Sequence, residues 1–314
     1  YCNNDFLSSL KVEQNISRLN YLLSLYGMTM DDLLSTINKG RKHLITQNEV
    51  FSKDIDISIL KKIDKIFDKG LHFYLDPKTL VQTAEASIFF RKNSFGTELN
   101  IGARKIVTQF EDFKISFSAI AKLADINLNR NLPVYNIGQS AKNVANQLRK
   151  LIYPNHQTKT RKDFLTAIIG KLAERNILVF EFVETWNKKE KANIDGFFLC
   201  PNVIVLKRNQ NAFNREIFTL LHELGHYLLN EEEIEQVDVL NTVNSNLSEV
   251  ERWCNDFAYY FLAGDYSAII DNMDMADASN DYYHETIEEI SQKVNLSRIA
   301  LYTRLLLQGK ISPH

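Results

Sequence analysis

The run His222-Glu223-Leu224-Gly225-His226 constrains this chain more than any other stretch. Ile217, Phe218, Leu221, Leu224 and Leu228 recur around it at helical spacing, which predicts a helix over 215–230. On a helix, histidines four apart share one face, one turn above the other. Their ring nitrogens can then reach one Zn2+ ion at about 2.0–2.1 Å. Glu223 projects about 100° further round the helix. It is badly placed to ligate the same ion alongside both histidines, but it can reach a water on it. Zinc lowers the pKa of such a water to about 7, so a flanking carboxylate can take its proton. His222 and His226 are therefore candidate metal ligands and Glu223 a candidate catalytic base. Gly225 in mid-helix costs about 1 kcal/mol relative to Ala, which predicts that something approaches the backbone closely there.

A hydrolytic zinc site needs a third protein ligand and an open position. Glu231, Glu232, Glu233, Glu235, Asp238, Glu249, Glu251 and Asp256 are candidates. The run 231–233 reads as a solvated cap. A second helix is predicted over 248–262, with Val250, Cys254, Phe257, Ala258 and Phe261 as its inward stripe. Glu251 lies at one shoulder of that stripe, and Asn255 is four residues on, over the same side. An amide there can hydrogen-bond a ligand histidine and fix its ring. Glu249, on the other shoulder, has no such partner, so Glu251 is preferred as the third ligand.

The chain has 314 residues, enough for about two domains. No apolar stretch has the roughly 18 residues of a membrane span. The first residues show no positive region followed by an apolar run, so no signal peptide is expected. Cys2, Cys200 and Cys254 are odd in number and far apart. That argues against a disulfide framework and points to a reducing, cytoplasmic setting. Charge is unevenly spread: residues 91–163 hold 13 Lys/Arg against 5 Asp/Glu, and residues 211–290 hold 2 against 18. Such blocks are either surfaces for charged partners or halves that attract each other within one molecule. An acidic catalytic half would steer basic proteins toward it.

Helices are predicted over 16–26, from about 29 with an apolar face at Leu33, Leu34 and Ile37, and over 57–69. The middle is mostly helical, with a loop at 129–138 and a short helix at 142–151. Another helix is expected over 164–175. Residues 177–183, 194–200 and 203–206 read as strands, and 286–307 is helical again. The fold class is therefore α+β: a mostly helical N-terminal half, then a small sheet packed on helices, then a C-terminal helical segment. The domain boundaries expected are 1–75, 76–155, 156–265 and 266–314.

The segments Ile194-Asp195-Gly196-Phe197, Pro201 to Leu206 and Arg215 to His226 resemble the ImmA/IrrE family of metallopeptidases. Glu251-Arg252-Trp253-Cys254-Asn255-Asp256-Phe257-Ala258 is similar to that family's second signature, E-x-x-A-N-x-F-A, with Cys254 in place of Ala. Ala263-Gly264 stands where the family often has Met-Pro. The resemblance implies a zincin-like, gluzincin-type domain. In it Zn2+ is bound at His222, His226 and Glu251, and Glu223 is the general base. Residues 88–92 and 141–151 look like the linker of members carrying an N-terminal helix-turn-helix of the XRE type. Residues 287–307 are similar to the family's C-terminal segment. The family cleaves helix-turn-helix repressors in stress responses or mobile elements.

Residues 1–75 hold 10 Lys/Arg and 9 Asp/Glu, a weak basis for phosphate contacts. The stretch 40–48 offers Gln47 and Asn48 as adenine readers. DNA binding and protein contact by a degenerate module both stand as readings. The expected function is a site-specific zinc endopeptidase acting on a repressor or partner protein in stress, mobile-element or phage-defence regulation. Its substrate would pair with an edge strand, expected at 203–206. The alternative is a DNA- or partner-binding regulator of toxin–antitoxin type, whose zinc is structural or sensory. The sequence leaves the oligomeric state open.

Overall fold

The computed structural model describes residues 10–80, 87–92, 95, 98–154, 159–184, 191–208, 213–234 and 247–312. The candidate ligands Glu235 and Asp238 lie outside the described residues. The chain divides into two compact units, one of residues 1–93 with 104–108, the other of residues 94–103 with 109–314. Among the described residues, no helix is long and apolar enough to cross a membrane.

The first unit is helical where periodicity says so. Helix α1 (Ile16–Tyr26) is capped by Asn15 and stopped by Gly27 at φ 58°, the left-handed conformation glycine adopts without strain. Helix α2 (Met30–Ile37) begins in a capping box between Thr29 and Asp32. Helix α4 (Ile57–Phe67) starts at Asp56 and ends at Asp68, also left-handed. Leu19, Leu22, Leu33, Leu60 and Ile63 from these helices are fully buried.

Between α2 and α4, the stretch 40–48 does not form a recognition helix. Residues 40–46 are not helical, and α3 is only Gln47–Val50. Its capping box joins Thr46 to Glu49, and Gln47 and Asn48 are exposed on its first turn. Two three-residue strands, β1 (Lys11–Glu13) and β2 (Asp54–Asp56), pair antiparallel beside it. Buried Gln14 extends that ladder, donating to Val50 O and Ser52 O at 2.7 Å each. Helices α5 (Leu71–Leu75) and α6 (Ile88–Arg91) follow.

The second unit is built on a three-stranded sheet in the order β3-β5-β4. Strand β3 (Leu178–Phe182) runs parallel to β5 (Val203–Lys207), and β4 (Gly196–Leu199) runs antiparallel to it. Side chains alternate faces along a strand, and β4 displays this in adjacent residues. Phe197 meets Phe110 of helix α7 (Ile101–Leu123) at 6.2 Å between ring centroids. Phe198 meets Tyr227 on the opposite face at 5.8 Å. Phe180 of β3 packs edge-on against Phe113 at 4.9 Å, so α7 covers one sheet face. Helix α10 (Phe213–Leu229) covers the other, with Glu216 to Leu229 all buried.

Helices α8 (Ala141–Ile152), α9 (Arg161–Ala173) and α11 (Glu249–Ala263) complete the core around α10. Arg149 of α8 donates to Phe261 O and lies 3.6 Å over the Tyr153 ring. Trp253 Nε1 donates to Gln139 O at 2.7 Å. These contacts hold α11 by its ends and flank.

After α12 (Tyr266–Asp271) and a 3-10 helix over Ala278–Tyr283, the C-terminal segment forms two α-helices, α13 (His284–Lys293) and α14 (Arg298–Leu307). Ser297 caps the second through Ala300 N. Arg304 of α14 reaches back to α11, bonding Asp256 at 2.6 Å and stacking 4.6 Å from Tyr259.

One expectation is corrected here. Residues 203–206 belong to the central strand, bonded on both sides, so a substrate strand cannot add there. Among the described residues, β4 pairs only with β5. Asp195 O accepts from Lys207 N at 2.7 Å. By antiparallel alternation, the backbone groups of Gly196, Phe198 and Cys200 therefore point outward. Glu232 Oε1 already receives Cys200 N–H at 2.8 Å.

Candidate metal centre

Helix α10 presents His222 and His226 on one face, with ring centroids 4.9 Å apart. Helix α11 crosses α10 at Gly225, where a Cβ would lie 2.9 Å from Cys254 Sγ and 3.0 Å from its Cα. This is the close approach that a mid-helix glycine predicts. That contact includes the Cys254 Cα and Cβ, which cannot swing aside, as well as Sγ, so Gly225→Ala must push the helices apart. It is expected to lower stability by about 1–3 kcal/mol, as overpacked cores do, despite the better helix propensity of Ala. Thermal unfolding reads this directly, and an unchanged or raised Tm would refute it.

The crossing sets Glu251 and Asn255 of α11 against the histidines. Ser248 caps α11 by accepting from Glu251 N at 3.1 Å. Ser-x-x-Glu at a helix start is the sequence of a capping box, but the Glu251 carboxylate is used elsewhere. It lies 3.0 Å from His226 Nε2 and 3.1 Å from His222 Nε2. The two Nε2 atoms are themselves 3.1 Å apart. One ligand atom from each of His222, His226 and Glu251 falls within 4.8 Å of the others, and all three residues are buried. Among the described residues, no other group of His, Cys, Asp or Glu is drawn together in this way. Glu249, the rejected alternative, is exposed.

Asn255 Oδ1 lies 3.0 Å from His222 Nδ1. A carbonyl oxygen only accepts, so Nδ1 carries a hydrogen and Nε2 faces the centre. Burial pushes the His222 imidazole down, but the Glu251 carboxylate and its hydrogen bond, with Glu223 and Asn255 assisting, outweigh it and raise the group to about 9. Burial likewise pushes Glu251 up, and the two histidines more than offset this, holding it far below the usual carboxylate range. Two imidazole nitrogens and a carboxylate oxygen thus surround a point that favours positive charge. That donor set fits a divalent ion of zinc type.

Glu223 is also buried, on the side of α10 that faces β4. A Cβ built on Gly196 would come 3.2 Å from Glu223 Cγ and 2.7 Å from Thr219 Cγ2. Sequence spacing marks Thr219 as one turn before Glu223, but only the tertiary fold brings Gly196 to both. Nearby, Arg208 Nε holds buried Glu216 at 2.9 Å and Arg215 holds Asp195 at 2.5 Å, tying the start of α10 to the sheet.

No curated protein and no solved structure matches the chain. Residues 173–306, which carry the sheet, α10, α11 and both C-terminal helices, match the model of peptidase family M78, described as the IrrE N-terminal-like domain; this supports the ImmA/IrrE resemblance and implies a protease of metallopeptidase type with a metal cofactor.

Proposed function

We propose that this protein is a zinc-dependent endopeptidase that cuts a protein substrate at a defined site. The observation that carries the proposal is the buried convergence of His222, His226 and Glu251, contributed by two helices. His222, His226 and Glu251 would hold the ion, and Asn255 would fix the His222 ring. A zinc ion there would supply Lewis acidity for the scissile carbonyl and acidify an attacking water. The cluster among the described residues has three protein ligands, the number of a hydrolytic site, whereas structural zinc usually has four.

Glu223 acts as general base and then passes a proton to the leaving amine. The substrate backbone pairs with the outward groups of Gly196 and Phe198 on β4. Glu232, by taking Cys200 N–H, ends that edge after two residues. The resemblance favours a helix-turn-helix repressor, or another regulatory partner in stress, mobile-element or phage-defence control, as the substrate. The acidic balance of residues 211–290 suits a basic protein of that kind.

The direct test is co-expression with the products of neighbouring genes. One of them should be cut by the wild-type protein and spared by Glu223→Gln. If every such product is cut equally by both forms, the proposal fails. A second test concerns the ring-fixing amide. Asn255→Ala should weaken zinc affinity about 10–100-fold, the usual cost of removing a partner behind a ligand, as read by competition with a chromophoric chelator. Unchanged affinity would remove Asn255 from this role.

A further inference from the structure

We infer that Gly196 and Thr219 are positioning residues for Glu223, forming a fitted seat that sets where its carboxylate stands. The inference rests on Glu223 acting as the base. It goes beyond that reading by naming what aims the base.

Gly196 opens β4 beside the outward edge, and it is buried. A Cβ there would meet three groups at once: Thr219 Cγ2 at 2.7 Å, Val205 O at 3.1 Å and Glu223 Cγ at 3.2 Å. The first distance is shorter than real Cβ atoms tolerate. The other two require a shift of a few tenths of an ångström. Val205 O is backbone of the central strand and cannot yield. The strain of an added methyl therefore falls on Thr219 and on the stem of Glu223.

Thr219 is the second half of the seat. It sits one helical turn before Glu223, so the two side chains lie over the same side of α10. It is 1% exposed, and its hydroxyl has no hydrogen-bond partner among the described residues. A buried hydroxyl without a partner costs stability, which a valine of the same shape would avoid. The methyl, by contrast, fills the hollow left by the missing Cβ. The Thr219 methyl and Glu223 Cγ thus both lie close against β4 at Gly196. Catalytic groups need this: displacement by about 1 Å can cost about 10²-fold in rate.

The test uses the full chain loaded with zinc, assayed on a quenched-fluorescent peptide library and on any co-expressed target that is cut. Gly196→Ala should lower kcat about 100-fold and leave KM within about twofold. Thr219→Ser removes only the methyl. Combined with Gly196→Ala it frees the 2.7 Å contact and should restore kcat to within about tenfold of wild type. Circular dichroism and Tm check that each variant folds. The visible spectrum of cobalt-substituted protein gives a readout independent of activity. It should be the same in Gly196→Ala as in wild type, because no ligand is touched.

A Gly196→Ala protein with undiminished kcat overturns the inference while leaving the base assignment standing. So does a loss that Thr219→Ser fails to relieve, or a changed cobalt spectrum, since either marks general damage. Full cleavage by Glu223→Gln would overturn the base assignment and this inference together.

Discussion

Glu223→Gln is expected to abolish most peptide cleavage, by about 10²–10⁴-fold, the range that a positioned general acid–base group contributes. The amide has the shape of the carboxylate but cannot accept the proton. Its stem still fits between Gly196 and Thr219, so the site should stay assembled. His222, His226 and Glu251 are untouched, and zinc should be retained at wild-type stoichiometry. Stability should hold or rise, because a buried ionisable group gives way to a neutral one. Turnover, bound metal and Tm measured on one preparation separate these effects. Retention of more than a tenth of wild-type turnover would exclude Glu223 as the base.

Glu251→Ala should have the second-largest effect, acting on the metal instead of the proton. Zinc sites bind with about 10–16 kcal/mol when four ligands contribute, so one ligand's share is about 3–4 kcal/mol, or roughly 10²–10³ in affinity. Cleavage should fall with metal occupancy and return in part when zinc is raised. Glu249→Ala is the internal control. Glu249 is two residues earlier on the same helix and exposed, so its loss should change neither affinity nor turnover. Equal effects of the two substitutions would show that α11 supplies no ligand at position 251.

The convergence of His222, His226 and Glu251 is legible because helical spacing places them. His222, His226 and Glu223 follow from one helix. The choice of Glu251 over Glu249 follows from which shoulder of α11 has an amide four residues on. Asn255 does lie at hydrogen-bonding distance from His222. Sheet order was harder. Val203 to Leu206 is an uninterrupted apolar run, the mark of a strand covered on both faces, and it occupies the centre of the sheet instead of an edge.

In the first unit, β1 and β2 are three residues each and about 40 positions apart, too short for any period to announce them. Helix α3 is a single turn held by its capping box, too short for hydrophobic periodicity to mark. At the C-terminus, Ser297 bonding Ala300 N is an ordinary helix-start signal that divides α13 from α14. The seat under Glu223 was invisible for a different reason. Gly196 and Glu223 are 27 positions apart, and only the packing of β4 on α10 gives the glycine its meaning.

The meeting of α10 and α11 at Gly225 and Cys254 has a consequence for supply. The two histidines ride on one helix. Glu251 and its neighbouring amide ride together on the other. A bound ion would therefore act as a rivet through the joint, and its holding strength would follow the free metal concentration. At 1,000 times its dissociation constant, it would add about 4 kcal/mol to the closed joint. In a metal-starved cell that reinforcement would be withdrawn, and the joint would rest on packing alone. An ion serving the proposed chemistry would then also govern how long the protein survives, so scarcity would act by thinning its numbers as well as by emptying its site.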